Sequence, residues 1–245
     1  MLAIVASRKG SAQTARTIRV ESTAIGGQAT VAVLLPVDYD TSTDRYPVLY
    51  LLHGGTQNHT AFPARNWFTK HASARHMIVV MPYLQPVFFT ARGAQAAPFE
   101  EFLGRELPSY IDTHYRTSTD RRGRAIAGIS MGGFGATMVG LTRPDMFGAI
   151  GAISAALAMT GRQREIATRV SDLSAAGAPY FYVACGLQDP VLPASRELVN
   201  ALRERGIPSQ LKEVPGGHGW EVWDPQVRAF FDVLEEQLAW RGRAR

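Results

Sequence analysis

One stretch constrains this chain more than any other: Ala127-Gly128-Ile129-Ser130-Met131-Gly132-Gly133. An apolar, strand-like run, Arg124-Ala125-Ile126-Ala127, leads into it, and Phe134 to Leu141 reads as a helix after it. Strand, Gly-x-Ser-x-Gly and helix in that order predict a nucleophile elbow, a reversal within a few residues that holds the serine in a strained conformation. Side chains two positions either side would collide in such a turn, and both positions are glycine, Gly128 and Gly132. The turn would lift the Ser130 hydroxyl clear of the sheet edge. It would also put the Met131 N–H at a helix N-terminus, aimed at a developing oxyanion. A glycine-rich turn with a capping serine is the plain alternative, and the rest of the chain must decide.

The segments around this turn are of two kinds. Residues 14–23 and 28–36 are rich in apolar and β-branched side chains with Gly26-Gly27 between them, which predicts an antiparallel hairpin. Tyr46 to Leu52 and Met77 to Met81 are near-continuous apolar runs, as expected of parallel strands buried on both faces. Further strands are expected at Phe147 to Ser154, 179–185 and 208–214. Helical patterns cover about 66–75, 98–113, 193–205 and 222–240, with a polar helical connection running to about 176. Pro108 predicts a kink in the second of these helices. Strands alternating with helices predict an α/β fold with a mostly parallel, doubly wound sheet. The length of 245 residues suits a single domain over 1–245, with 1–12 and 241–245 as loose tails.

Composition narrows the function classes. Hydrophobic content of 46% and charged content of 19% are ordinary for a soluble globular protein, and no apolar run reaches the length of a membrane span. The start, Met1 to Lys9, has too short an apolar stretch, with its charges after it rather than before, and makes a poor signal peptide. That points to the cytoplasm, with secretion open if a leader is missing. Cys185 is the single cysteine and lies in an apolar strand, so it reads as a buried inert thiol. The net charge of +5 sits largely in Arg121-Arg122-Gly123-Arg124 and in the tail from Arg241. Solvated arginines at a turn and a terminus account for it without a nucleic-acid partner.

In doubly wound sheets, ligands bind beyond the carboxyl ends of the strands. Four polar signals fall there: His53-Gly54-Gly55, Ser130, Asp189 and His218. A serine hydroxyl needs an adjacent imidazole base at neutral pH, and the imidazole needs a carboxylate to fix its tautomer. Of the other histidines, His71, His76 and His114 lie in or beside helices and read as surface residues, and His59 sits in a polar loop. His53 reads as a shaper of its loop. Asp172 and Asp224 are alternative carboxylates; Asp189 is preferred because it follows a strand, whereas Asp224 reads as a helix cap. The Gly55 N–H is the first choice for a second oxyanion donor beside Met131, with Thr56 next. There is no His-Glu-x-x-His, no Cys/His cluster, no phosphate-binding loop and no complete dinucleotide fingerprint, so neither a metal nor a cofactor is expected.

Taken together, four stretches resemble the esterase D family of α/β-hydrolases. They are Val48 to Gly55, Glu106 to Asp112, Arg124 to Gly133, and Gly216-Gly217-His218-Gly219-Trp220. The resemblance runs from about residue 30 to 240. That group includes tributyrin-type and feruloyl esterases, S-formylglutathione hydrolases and mycolyltransferases. The resemblance implies the α/β-hydrolase fold, a triad of Ser130, Asp189 and His218, oxyanion donors at Gly55 and Met131, and no cofactor. It departs at Val87 to Ala91, where relatives often carry a Tyr and an acidic residue, and at Phe134, where an S-formylglutathione hydrolase would have histidine.

The resulting expectation is a serine carboxylesterase acting on small-molecule esters with short acyl or aryl-acyl groups through an acyl-enzyme. The connection at 155–177 is too short for a large lid. Thr56, Phe88, Phe89 and Trp220 are candidate substrate-binding residues, with Phe88 and Phe89 as walls of the acyl pocket. An acyltransferase passing the acyl group to an alcohol or sugar, and a hydrolase-like binding module, are the alternatives. The oligomeric state is not readable from the sequence.

Overall fold

The computed structural model describes residues 14–85 and 97–240. The apolar runs become an eight-stranded sheet. β1 (Arg16–Ser22) and β2 (Gly27–Leu34) form the expected hairpin. β2 also pairs antiparallel with β4 (Ile78–Pro82), and β4 lies parallel to β3 (Val48–Leu52). From β3 the sheet continues in parallel through β5 (Arg124–Ile129), β6 (Ala149–Ile153), β7 (Tyr180–Gly186) and β8 (Ser209–Val214). The order across the sheet is therefore β1-β2-β4-β3-β5-β6-β7-β8. Chain order runs one way from β3 to β4 and the other way from β5 onward. The crevice between the ends of β3 and β5 is thus the switch point at which doubly wound sheets bind ligands.

Alternation along each central strand divides the core. Val48, Tyr50, Leu52, Ile126, Ile150 and Val183 face one side, with α4 (Met131–Thr142), α5 (Gln163–Asp172) and α6 (Leu192–Glu204) packed there. Leu49, Leu51, Val79, Ala127 and Tyr182 face the other, under α1 (Phe68–Ser73) and α7 (Trp220–Gln237). Both faces are covered, so β3 to β6 are buried at every position. Cys185 is buried in β7, and burial, with Asp189 nearby, pushes its thiol up to about 12.

The helix expected over 98–113 forms in three pieces: α2 (Ala97–Glu101), a π-helical turn (Phe102–Glu106) and α3 (Leu107–His114). The disturbance lies just before Pro108, which has no N–H to offer the Gly104 carbonyl. The Leu107 N–H reaches back to Phe102, and the side chain of Arg143 donates to the freed Gly104 carbonyl at 3.2 Å. Buried Arg162 donates to Glu100 at 2.9 Å and to Glu165 at 2.6 Å, tying α2 to α5. The polar connection after β6 contains α5 alone as a helix. No inserted lid domain occurs among the described residues, and no helix among them is long and apolar enough to cross a membrane.

Candidate active site

β5 delivers Ser130 to the carboxyl edge of the sheet, and α4 begins at the next residue. Ser130 adopts φ 53° and ψ −117°, a conformation that costs a non-glycine residue about 1–3 kcal/mol. Neighbouring backbone over-determines it. The Ser130 N–H donates to Ile153 O at 2.9 Å, and Ser130 O accepts from Ala156 N–H and Phe134 N–H at 3.0 Å each. The flanking glycines are needed for close approach. A methyl group on Gly128 would lie 2.4 Å from the Gly132 backbone, and one on Gly132 would lie 2.3 Å from Leu52 O and 2.4 Å from His53 O. The elbow is therefore wedged against the end of β3 as well as against itself.

Two further strand ends bring the partners. Asp189 follows β7, is 3% exposed, and accepts the Val191 N–H at 3.0 Å. His218 follows β8. Its Nδ1 lies 2.8 Å and 3.0 Å from the two carboxylate oxygens of Asp189, and its Nε2 lies 2.8 Å from Ser130 Oγ. The carboxylate can only accept, so Nδ1 carries the proton and Nε2 presents its lone pair to the serine hydroxyl. Ser130, Asp189 and His218, nominated in the sequence as separate strand ends, are thus hydrogen-bonded in series. Asp172 ends α5 and does not join them. Asp224 is not a helix cap: it lies within the first turns of α7, and its carboxylate accepts from Arg65 at 2.6 Å.

The glycine turn after β3 sits beside the serine. The Gln57 N–H donates to Gly54 O at 3.1 Å, and the Gly54 N–H donates to Gln57 Oε1 at 3.0 Å. Among the described residues no group accepts the Gly55 N–H or the Met131 N–H. A methyl group on Gly55 would touch Met131 Cγ at 3.0 Å, so the residues bearing these two free donors are neighbours. The Gly54 donor is already spent, which favours Gly55 over it. Thr56 is exposed on the same turn.

His53 shapes this loop as expected. It is 1% exposed, donates from Nδ1 to Gly54 O at 2.7 Å and accepts the Leu84 N–H at Nε2 at 3.0 Å. Burial lowers its pKa, so the ring is neutral, and Tyr83 stacks on it at 5.8 Å. His71 is half-buried between Trp67 and Phe231, and half-buried His76 packs its ring at a tilt against Tyr46, so neither is the plain surface residue the sequence suggested. His114 is exposed.

Two residues here, Trp223 and Gln188, were not among the sequence candidates. Trp223 sets its ring perpendicular to His218 at 5.2 Å. Gln188, next to Asp189, clasps the histidine loop: its N–H donates to Gly216 O at 3.0 Å, and its Oε1 accepts the Gly216 N–H at 2.8 Å. Their spacing from Asp189 and His218 was the available clue. Trp220 packs on Phe62 and Trp223 under the Arg65 guanidinium, half-buried at the start of α7. Phe88 and Phe89 lie outside the described residues.

The family model named Esterase matches residues 22–231. An acetyl esterase of Caldicellulosiruptor saccharolyticus is 25% identical, over 84% of this chain and 92% of the relative. An esterase of Mycobacterium tuberculosis is 31% identical over 82% of this chain; the match spans 54% of that longer protein. Among solved structures, a ferulic acid esterase superposes with a TM-score of 0.79 at 28% identity, over 91% of this chain and 97% of the other.

Proposed function

The chain belongs to the esterase family, and from that premise we propose that it is a serine carboxylesterase with Ser130 as nucleophile, His218 as base and Asp189 as the orienting carboxylate. Its fold is that of the α/β-hydrolases. One observation carries the assignment of roles: the unbroken series from Asp189 through His218 to Ser130 Oγ, with every link at 2.8–3.0 Å.

In this reading Ser130 Oγ attacks the ester carbonyl carbon while His218 Nε2 takes its proton. The carbonyl oxygen becomes an oxyanion, and the free N–H groups of Gly55 and Met131 receive it at the N-terminus of α4. Collapse breaks the bond to the alkoxy group, which leaves with the proton from His218. Water then repeats the sequence on the acyl-enzyme and releases the acid. Asp189 stays ionised and supports the charged imidazole throughout. The substrate class we propose, short acyl and aryl-acyl esters, is supported by the compact connection after β6 and by relatives named acetyl esterase and ferulic acid esterase. Thr56 and Trp220 remain candidate contacts at the mouth, and Phe88 and Phe89 candidate walls.

Assay of 4-nitrophenyl acetate hydrolysis by purified variants tests the roles. Ser130→Ala and His218→Ala should each lower kcat by about 10⁴-fold or more, and Asp189→Asn by a comparable factor, with melting temperatures close to wild type. Retention of most activity by Ser130→Ala would remove the elbow from the mechanism.

A further inference from the structure

Beside the nucleophile lies an amide that the mechanism above does not use. Gln57 Oε1 accepts the Gly54 N–H at 3.0 Å, which fixes the orientation of the carboxamide. The Nε2 group at its other end carries two N–H donors, and among the described residues no acceptor takes either. The amide and the nucleophile both lie close to Gly54. A methyl group on Gly54 would lie 3.3 Å from Gln57 Oε1, 3.6 Å from Gln57 Cδ and 3.7 Å from Ser130 Cβ. The carboxamide and the nucleophile therefore flank the same backbone position. Gln57 is half-buried, and its main chain is held by the turn it closes.

An ester seated on Ser130 and extending past Gly54 would cover this amide and displace water from it. A covered N–H that meets only methylene loses its hydrogen bonds without replacement. A site that hydrogen-bonds a substrate oxygen discriminates against the analogue lacking it. We propose that Gln57 is a specificity-determining residue, selecting esters that carry a second acceptor oxygen close to the scissile bond over plain alkyl esters. An ether, hydroxyl or ring oxygen would serve, on either the acyl or the alcohol side. The inference rests on the esterase reading given above.

Two pairs of isosteric esters test it, each pair exchanging one methylene for an ether oxygen. On the acyl side these are 4-nitrophenyl butyrate and 4-nitrophenyl methoxyacetate; on the alcohol side, butyl acetate and 2-methoxyethyl acetate. The quantity read is the ether-to-alkyl ratio of kcat/KM in a variant relative to wild type, in which intrinsic reactivity cancels. Gln57→Leu removes both ends of the amide. Gln57→Glu keeps an acceptor for the Gly54 N–H and removes the NH₂ donors. Both should lower the ratio by about fivefold or more in one pair, and that pair identifies the side. Unchanged ratios in both pairs, with all four esters still cleaved, would overturn the proposal. So would an equal loss on all four esters in Gln57→Leu that Gln57→Glu restores, since the residue would then only shape the turn. If wild type cleaves none of the four, the esterase reading falls and this inference falls with it.

Discussion

Ser130, Asp189 and His218, the residues we propose for the triad, stood out in the sequence because each closely follows a strand, and the structure brings them within hydrogen-bond reach of one another. His53 was legible only as a loop residue, and its two hydrogen bonds show what that means physically. Its neutral ring joins the end of β3 to the segment after β4 through Gly54 O and the Leu84 N–H. Burial lowers its pKa, so the unfolded chain takes up this proton more readily than the folded one. Its contribution is therefore complete above about pH 6.5, the ordinary histidine value, and is lost as pH falls below it. Protonation would also place a proton on Nε2 facing the Leu84 N–H. Half-buried His59 and His71, lowered for the same first reason, act in the same direction. We expect the melting temperature to fall between about pH 6.5 and 5, and His53→Gln to flatten that slope while lowering stability overall. A slope unchanged in His53→Gln would assign the acid sensitivity elsewhere. Gln57 and Gln188 escaped the sequence because each works by accepting a glycine N–H through a side-chain amide, a contact that follows no motif.

At the scale of elements, periodicity located the strands and helices, and packing set their details. Pro108 announced a disturbance, but its form depends on Arg143 reaching the Gly104 carbonyl from another element. The glycines of the elbow were legible as a tight turn. What the sequence could not show is that Gly132 lies against β3, which is remote in the chain and hydrogen-bonded to β5 along its length. That contact gives a sharp stability prediction. Gly132→Ala drives a methyl group into Leu52 O and His53 O, both backbone atoms that cannot swing away, and should cost more than about 3 kcal/mol. Gly27→Ala, where a methyl group meets nothing within 4 Å, should change stability by no more than about 0.5 kcal/mol. Urea midpoints of the two variants give the comparison. Similar midpoints would mean that the elbow is not wedged between β5 and β3.

For the whole molecule, alternation of strand and helix implied a doubly wound sheet, and the Gly-Gly turn implied the hairpin that opens it. Strand order was less accessible. β4 lies between β2 and β3, pairing antiparallel on one side and parallel on the other, because the hairpin buries its apolar face by extending the sheet from that edge. This order leaves the ends of β3 and β5 at the switch point and places β6, β7 and β8 beyond β5. The loops bearing Asp189 and His218 then fold back over the serine. Gly186 permits that return, since a methyl group there would lie 2.3 Å from Gly216 O. We propose that this convergence activates Ser130 above every other hydroxyl among the described residues. Reaction of the native protein with a fluorophosphonate, followed by mass mapping of the adduct, tests it most directly. One equivalent should bind, on Ser130, with esterase activity lost in proportion and no labelling of Ser130→Ala. Labelling at another residue, or full activity with Ser130 modified, would contradict it.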